Sequence, residues 1–200
     1  NNKKLKVLFT LNKKKIQKFR PKIIFFIHWS KKISANFLKK NLCIQFHSSD
    51  LPRFRGGSPI QNQIINQVKN TKISAFKMND IIDGGDICIK EKLKLSGSAE
   101  TIYKNMEKKC VHMIKKISKK KKVIFYKQKG KASFYKRRSD KDSNLKLNEL
   151  NNFSSLYDFI RMLDADGYPN AFLKLKKFKI IFNEAKLEKK CVSGKFKIIK

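Results

Sequence analysis

Between residues 23 and 47 the chain runs Ile23-Ile24-Phe25-Phe26-Ile27, then a stretch of helical character from Ile33 to Lys40, then Leu42-Cys43-Ile44-Gln45-Phe46-His47. Each apolar run lacks the alternation of a half-exposed strand, which predicts strands buried on both faces. Strand, helix and strand with short connections predict a βαβ unit, and so an α/β fold with a mostly parallel sheet. Ligands of such sheets collect beyond the C-terminal strand ends. His47 stands at one of those ends.

Downstream comes the loop Pro52-Arg53-Phe54-Arg55-Gly56-Gly57-Ser58-Pro59. Its glycine pair admits backbone conformations closed to other residues. Ser58 is expected to cap a helix starting at Pro59, with Ile60, Ile64, Ile65 and Val68 on the packed face and Gln and Asn on the other. Lys72 to Met78 is an expected strand. Asp83-Gly84-Gly85-Asp86 is a tight turn, and Ile87 to Lys90 a further strand. Ser98 caps an expected helix with Ile102, Met106, Cys110, Met113 and Ile117 at helical spacing. Phe125 to Asn152 is polar and predicts a linker. A helix from Phe153 to Leu163, a hairpin from Ala171–Leu175 and Phe178–Phe182, and a strand over Val192–Ile199 complete the pattern. The expected organisation is residues 1–130 as the α/β domain, 131–152 as linker, and 153–200 as a small helix-plus-strands appendage.

A hydrophobic content of 40% with 16 Phe is enough for a packed core, which excludes wholesale disorder. No apolar run approaches the roughly 18 residues that a membrane helix needs, so no span is expected. Asn1-Asn2-Lys3-Lys4 leads into only a few apolar residues, without a small-residue cleavage site, and predicts no signal peptide. Cys43, Cys88, Cys110 and Cys191 are far apart with no CxxC pair, which argues against a zinc site and for reduced thiols in a cytoplasm. The net charge of +34 would favour tRNA, rRNA or an anionic surface. Only six of the 49 basic residues are Arg, however, and Asn, Ile and Phe are abundant, as an AT-rich coding sequence would impose. Phosphate sites usually recruit the bidentate arginine fork, so the charge counts weakly for a nucleic-acid partner.

Three histidines are available for chemistry near neutral pH. His112 falls between apolar helix positions and reads as structural. His28 follows a buried strand beside Trp29 and could line a pocket. His47 combines a strand end with a following glycine-rich loop, and Asp83 offers a carboxylate. Such a pair moves a proton, with the carboxylate fixing the imidazole tautomer.

The run His47-Ser48-Ser49-Asp50-Leu51-Pro52-Arg53-Phe54-Arg55-Gly56-Gly57-Ser58-Pro59-Ile60-Gln61 resembles the signature loop of the folate-dependent formyltransferases. That family includes enzymes acting on methionyl-tRNA and on nucleotide-linked amino sugars. Its Asp-x-Gly turn falls about 36 residues after the histidine, which is the separation of Asp83 from His47 here. Arg137-Arg138-Ser139-Asp140-Lys141-Asp142-Ser143, Leu156-Tyr157-Asp158-Phe159-Ile160-Arg161 and Tyr168-Pro169-Asn170-Ala171-Phe172 extend the likeness over residues 21 to 187. It implies a Rossmann-like formyltransferase domain with a small C-terminal α+β appendage. The family usually opens with a strand and turn well before this point, so either the first strand and helix lie outside this sequence or this is a compact branch of the family.

By the same resemblance His47 and Asp83 are the catalytic histidine and aspartate, and 10-formyltetrahydrofolate is the formyl donor to a primary amine. Pterin contacts are implied for His28, Met78 and Asp80, and Gly56, Gly57 and Ser58 shape the mouth of the site. The family's asparagine two residues before the histidine is Gln45 here, with its amide one methylene further out. Losing an oxyanion donor typically costs about 10²- to 10³-fold in rate. With only about fifty residues after Leu150, the short C-terminal part favours a nucleotide-linked amino sugar as acceptor over tRNA. The alternatives are methionyl-tRNA and a non-catalytic basic RNA-associated protein on the same scaffold. The family also admits a homodimer.

Overall fold

The computed structural model describes residues 5–200. The opening Asn1-Asn2-Lys3-Lys4, on which the leader reading rests, lies outside them. Helix α1 (Lys13–Phe19) is capped by the Asn12 side chain, which accepts from Lys14 and Lys15 N–H, and it buries no residue. The βαβ unit follows as expected: β1 (Ile24–Phe26), α2 (Ala35–Lys40) and β2 (Cys43–His47), with β1 and β2 parallel. Next come β3 (Arg55–Gly56), α3 (Pro59–Ile65), β4 (Asn70–Lys77), β5 (Ile87–Lys94) and the long helix α4 (Ala99–Ser118).

The principal sheet has the order β1-β2-β4-β5. Strand β2 pairs with β4 antiparallel, His47 opposite Ser74, and β4 pairs with β5 antiparallel. The sheet is therefore mixed: the expected parallel pairing holds at β1–β2, and the next two strands reverse. Buried apolar runs read alike in either direction, so hydropathy alone does not fix polarity.

Helix α4 has the predicted face. Ile102, Met106, Cys110, Met113 and Ile117 are all buried and pack with Ile73, Ala75, Cys88 and Leu93 of the sheet. Full burial of such a side chain contributes about 1.5–3 kcal/mol, so this layer is the main source of stability. Burial also raises the thiols of Cys43 and Cys88 to about 11 and Cys110 to about 12, so they are inert packing groups.

Helix α3 departs from the expected pattern. Gln61, Asn62 and Gln63 are buried, while Ile65 is exposed. Each amide nitrogen has a backbone acceptor: Gln61 Nε2 donates to Met162 O (3.1 Å), Asn62 Nδ2 to Gly57 O (2.9 Å), and Gln63 Nε2 to Ser48 O (2.7 Å), while Gln61 Oε1 is buried without a partner among the described residues. Buried polar groups cost little when they are paired.

Residues 125–152 carry more structure than their composition suggests. Tyr126 forms a bridge with Ile87, and β6 (Phe134–Tyr135) pairs in parallel with β3. Helix α5 (Phe153–Arg161) then leads into the antiparallel sheet of β7 (Ala171–Lys174), β8 (Lys179–Leu187) and β9 (Val192–Ile199). Buried Arg161 ties this part to the first: its Nε meets Asp158 at 2.6 Å, and its Nη1 donates to Leu95 O (2.9 Å) and Gly97 O (2.8 Å). Ile160, Met162, Leu163 and Ala171 join the same hydrophobic core as the principal sheet. Among the described residues, no helix is long and apolar enough to cross a membrane, and no cluster of His, Cys, Asp or Glu is arranged to hold a metal ion.

Candidate active site

Strand β2 delivers His47 to the sheet end, 6% exposed. The loop after it is fixed by side chains from three other elements. Ser74 of β4 donates its hydroxyl to Ser49 O (2.7 Å) and accepts Leu51 N–H (3.2 Å). Gln63 of α3 holds Ser48 O. Lys90 of β5 reaches both Asp50 and Leu51 O, and Lys72 lies 3.0 Å from the Asp50 carboxylate. Burial alone would raise the Asp50 carboxyl, but hydrogen bonds and charge from Lys90 and Lys72 hold it below its usual range.

This loop turns back so that its own backbone meets the histidine. His47 Nε2 donates to Phe54 O at 2.7 Å, and Nδ1 lies 3.5 Å from Asp83 Oδ2. Asp83 is 8% exposed, and the same oxygen accepts the Gly56 N–H at 2.8 Å. The ring thus faces an acceptor at each nitrogen. A neutral imidazole has one N–H to give, so a neutral ring here can serve only one of the two acceptors by donation.

Two glycines make this closure feasible. Gly56 has φ +95°, and a Cβ there would lie 2.3 Å from Tyr135 O; a Cβ on Gly57 would lie 2.3 Å from Arg137 Cα. The segment 133–137 therefore lies directly on the loop. Arg55 N–H donates to Ser133 O, Gly57 N–H to Tyr135 O, and the Phe54 and Tyr135 rings stack at 4.9 Å. The Gly56 and Gly57 amides are spent on Asp83 and Tyr135. Ser58 has φ +47° and makes no side-chain cap to α3, contrary to expectation; its hydroxyl accepts Arg138 N–H (3.1 Å) and meets Tyr168 Oη (3.2 Å).

The other expected residues are placed more loosely. Gln45 shares the strand face of His47, two residues earlier. Its Nε2 donates to Trp29 O at 3.3 Å, which leaves the second amide hydrogen for another acceptor. His28 has a left-handed φ of +51° and meets Tyr103 edge-on (5.4 Å) and Glu107 (3.8 Å). Burial lowers its pKa, with the Glu107 charge opposing. Met78 packs against the cluster of Leu51, Phe76 and Ile87, and Asp80 is exposed in the β4–β5 turn. His47, Asp83 and Gly56 are brought together, whereas His28 meets Tyr103 and Glu107 instead.

Two further residues that hold the site carry no signal in the sequence. Phe54 acts through its backbone carbonyl, for which a side chain gives no signal. Gln128 lies in the polar stretch between exposed Lys127 and Lys129. Its Nε2 donates to Asp83 O and Gly85 O, both at 2.8 Å. A cavity of about 700 Å³ adjoins the loop, lined by Arg53, Lys72, Lys92, Lys94 and Lys109 among others. It touches neither His47 nor Asp83.

The formyl transferase family model matches residues 10–117, and the model for the methionyl-tRNA formyltransferase C-terminal domain matches residues 140–199. A methionyl-tRNA formyltransferase of Rickettsia canadensis is 37% identical over 75 residues, which is 38% of this chain and 24% of that protein. The chain matches only about a quarter to a third of the length of such curated relatives. Among solved structures, a methionyl-tRNA formyltransferase from Clostridium thermocellum is 37% identical, with a TM-score of 0.89 over 95% of this chain and 83% of that one. A 4-N formyltransferase from Francisella tularensis shares the fold, with 20% identity and a TM-score of 0.70 over 83% of this chain and 72% of that one.

Proposed function

The chain belongs to the formyl transferase family, and from that premise we propose that it transfers a formyl group from 10-formyltetrahydrofolate to a primary amine. The observation that carries the reading is the buried pair of His47 and Asp83, 3.5 Å apart at a strand end. The folate, when bound, supplies an activated formyl carbon. His47 holds and moves the proton that the attacking amine must lose, and Asp83 orients the ring and stabilises its charged form. The free amide hydrogen of Gln45 is the donor for negative charge developing on the formyl oxygen. Half-buried Met78 and the backbone beside it are the groups that would hold the pterin. His28, turned toward Tyr103 and Glu107, supports that role less.

Methionyl-tRNA is the acceptor we favour. The relatives that match at 37% identity carry that name, and so does the family model that matches residues 140–199. A nucleotide-linked amino sugar is the second reading, supported by the shared fold of the 4-N formyltransferase. Both acceptors carry phosphates, which the lysine-lined cavity beside the loop would suit. The test is formyl transfer from 10-formyltetrahydrofolate to methionyl-tRNA and to nucleotide-linked 3-amino and 4-amino sugars, side by side. Preference for tRNA of at least about tenfold in kcat/KM supports the first reading, and the reverse preference the second. A protein inactive on every amine would overturn both.

A further inference from the structure

The residue that holds the Asp83 turn comes from the stretch that composition reads as a linker. Asp83 has φ +48°, a left-handed conformation uncommon for a residue with a side chain. From that conformation its carboxylate meets Gly56 N–H and His47. Gln128 grips the turn from outside: both amide hydrogens are used, one on Asp83 O and one on Gly85 O, each at 2.8 Å. The opposite end of the same amide accepts from Arg55 Nη2 (2.7 Å) and Nε (3.3 Å). Arg55 belongs to the loop that carries Gly56, and its guanidinium lies over the Phe134 ring at 5.5 Å. One side chain thus locks the turn bearing Asp83 to the loop bearing its hydrogen-bond donor. Gln128 reaches neither His47 nor the Asp83 carboxylate.

We propose that Gln128 is a positioning residue for the His47–Asp83 pair, setting the place of the aspartate by fixing the turn against Arg55; the kinetic part of this claim rests on the formyl-transfer reading. The amide is suited to the task because it offers two donors to the carbonyls and an acceptor to the guanidinium at once. A carboxylate of the same length keeps the Arg55 contact and loses both donors, facing two carbonyl oxygens instead. Misplacing a reacting group by about 1 Å can cost about 10²-fold in rate.

Gln128→Glu separates a positioning role from a general structural one. Two readouts are taken on the full chain: hydrogen exchange of the Gly56 amide, and kcat and KM on whichever acceptor the wild type formylates. The expected results are Gly56 exchange faster by at least about tenfold with the Ile73 amide of β4 unchanged, and kcat lower by about 10- to 100-fold with KM for 10-formyltetrahydrofolate within about twofold. Gln128→Asn, one methylene short, serves in its place if the glutamate variant fails to fold, with the same expectations. Wild-type Gly56 protection in a folded variant would overturn the proposal. So would wild-type kcat in an active one. If the wild type formylates no amine, the formyl-transfer reading fails, and the Gly56 exchange alone decides whether the clamp exists.

Discussion

The loop from Ser48 to Ser58 is tied down by Ser74, Gln63, Lys90 and the segment 133–137, whereas strand β9 is paired on one side and leaves Phe196 67% and Ile198 56% exposed. The first is held by side chains reaching from distant parts of the sequence, the second by a backbone ladder to its neighbour in sequence. A ladder suffices to make a sheet. Placing the His47 and Asp83 side chains 3.5 Å apart requires the cross-braced arrangement, because each brace removes a way for the loop to relax.

The contrast breaks most visibly at Gly57. Gly57→Ala puts a methyl where Arg137 backbone stands, so segment 133–137 must move off the loop. A loss of about 1–3 kcal/mol is expected from chemical denaturation, the range for overpacking a closed site. Asp50 sharpens the contrast at lower cost. Its folded-state pKa is depressed, so its contribution is fully present above the ordinary aspartate value of about 3.9 and is lost as pH falls through the folded value. Its side chain is 40% exposed, so screening limits the effect to well under about 1 kcal/mol. Stability curves of wild type and Asp50→Asn should differ at pH 6 and converge at low pH. The smallest effect belongs to the other region: Phe196→Ser should change stability by no more than about 0.5 kcal/mol. Equal losses from Gly57→Ala and Phe196→Ser in the same denaturation series would erase the distinction.

Much of this was legible in the sequence. Apolar runs located β1 and β2, and the spacing of Ile102 through Ile117 fixed the buried face of α4. The loop after His47 and the turn carrying Asp83 were legible as loop and turn. Strand direction was not, since the apolar pattern of β4 is the same whichever way it runs. The packed face of α3 was hidden because hydropathy scores Gln61 and Gln63 as exposed, while the acceptors that make their burial cheap, Met162 O and Ser48 O, belong to residues elsewhere in the chain. Gln128 was hidden for the same reason: its partners are the carbonyls of a turn some 45 residues earlier. Ser58 looked like a helix cap, but a left-handed backbone turns its hydroxyl to Tyr168 and Arg138 instead.

On the proposed formyl-transfer reading, Asp83 and His47 manage the proton of the attacking amine. The most direct measurement is the single-turnover rate of N-formylation at saturating 10-formyltetrahydrofolate for the wild type and Asp83→Asn. Asparagine keeps an oxygen for the Gly56 N–H and removes the charge beside His47. The expected rate is lower by about 10²- to 10⁴-fold with the unfolding midpoint unchanged. A wild-type rate in the folded Asp83→Asn protein would contradict it.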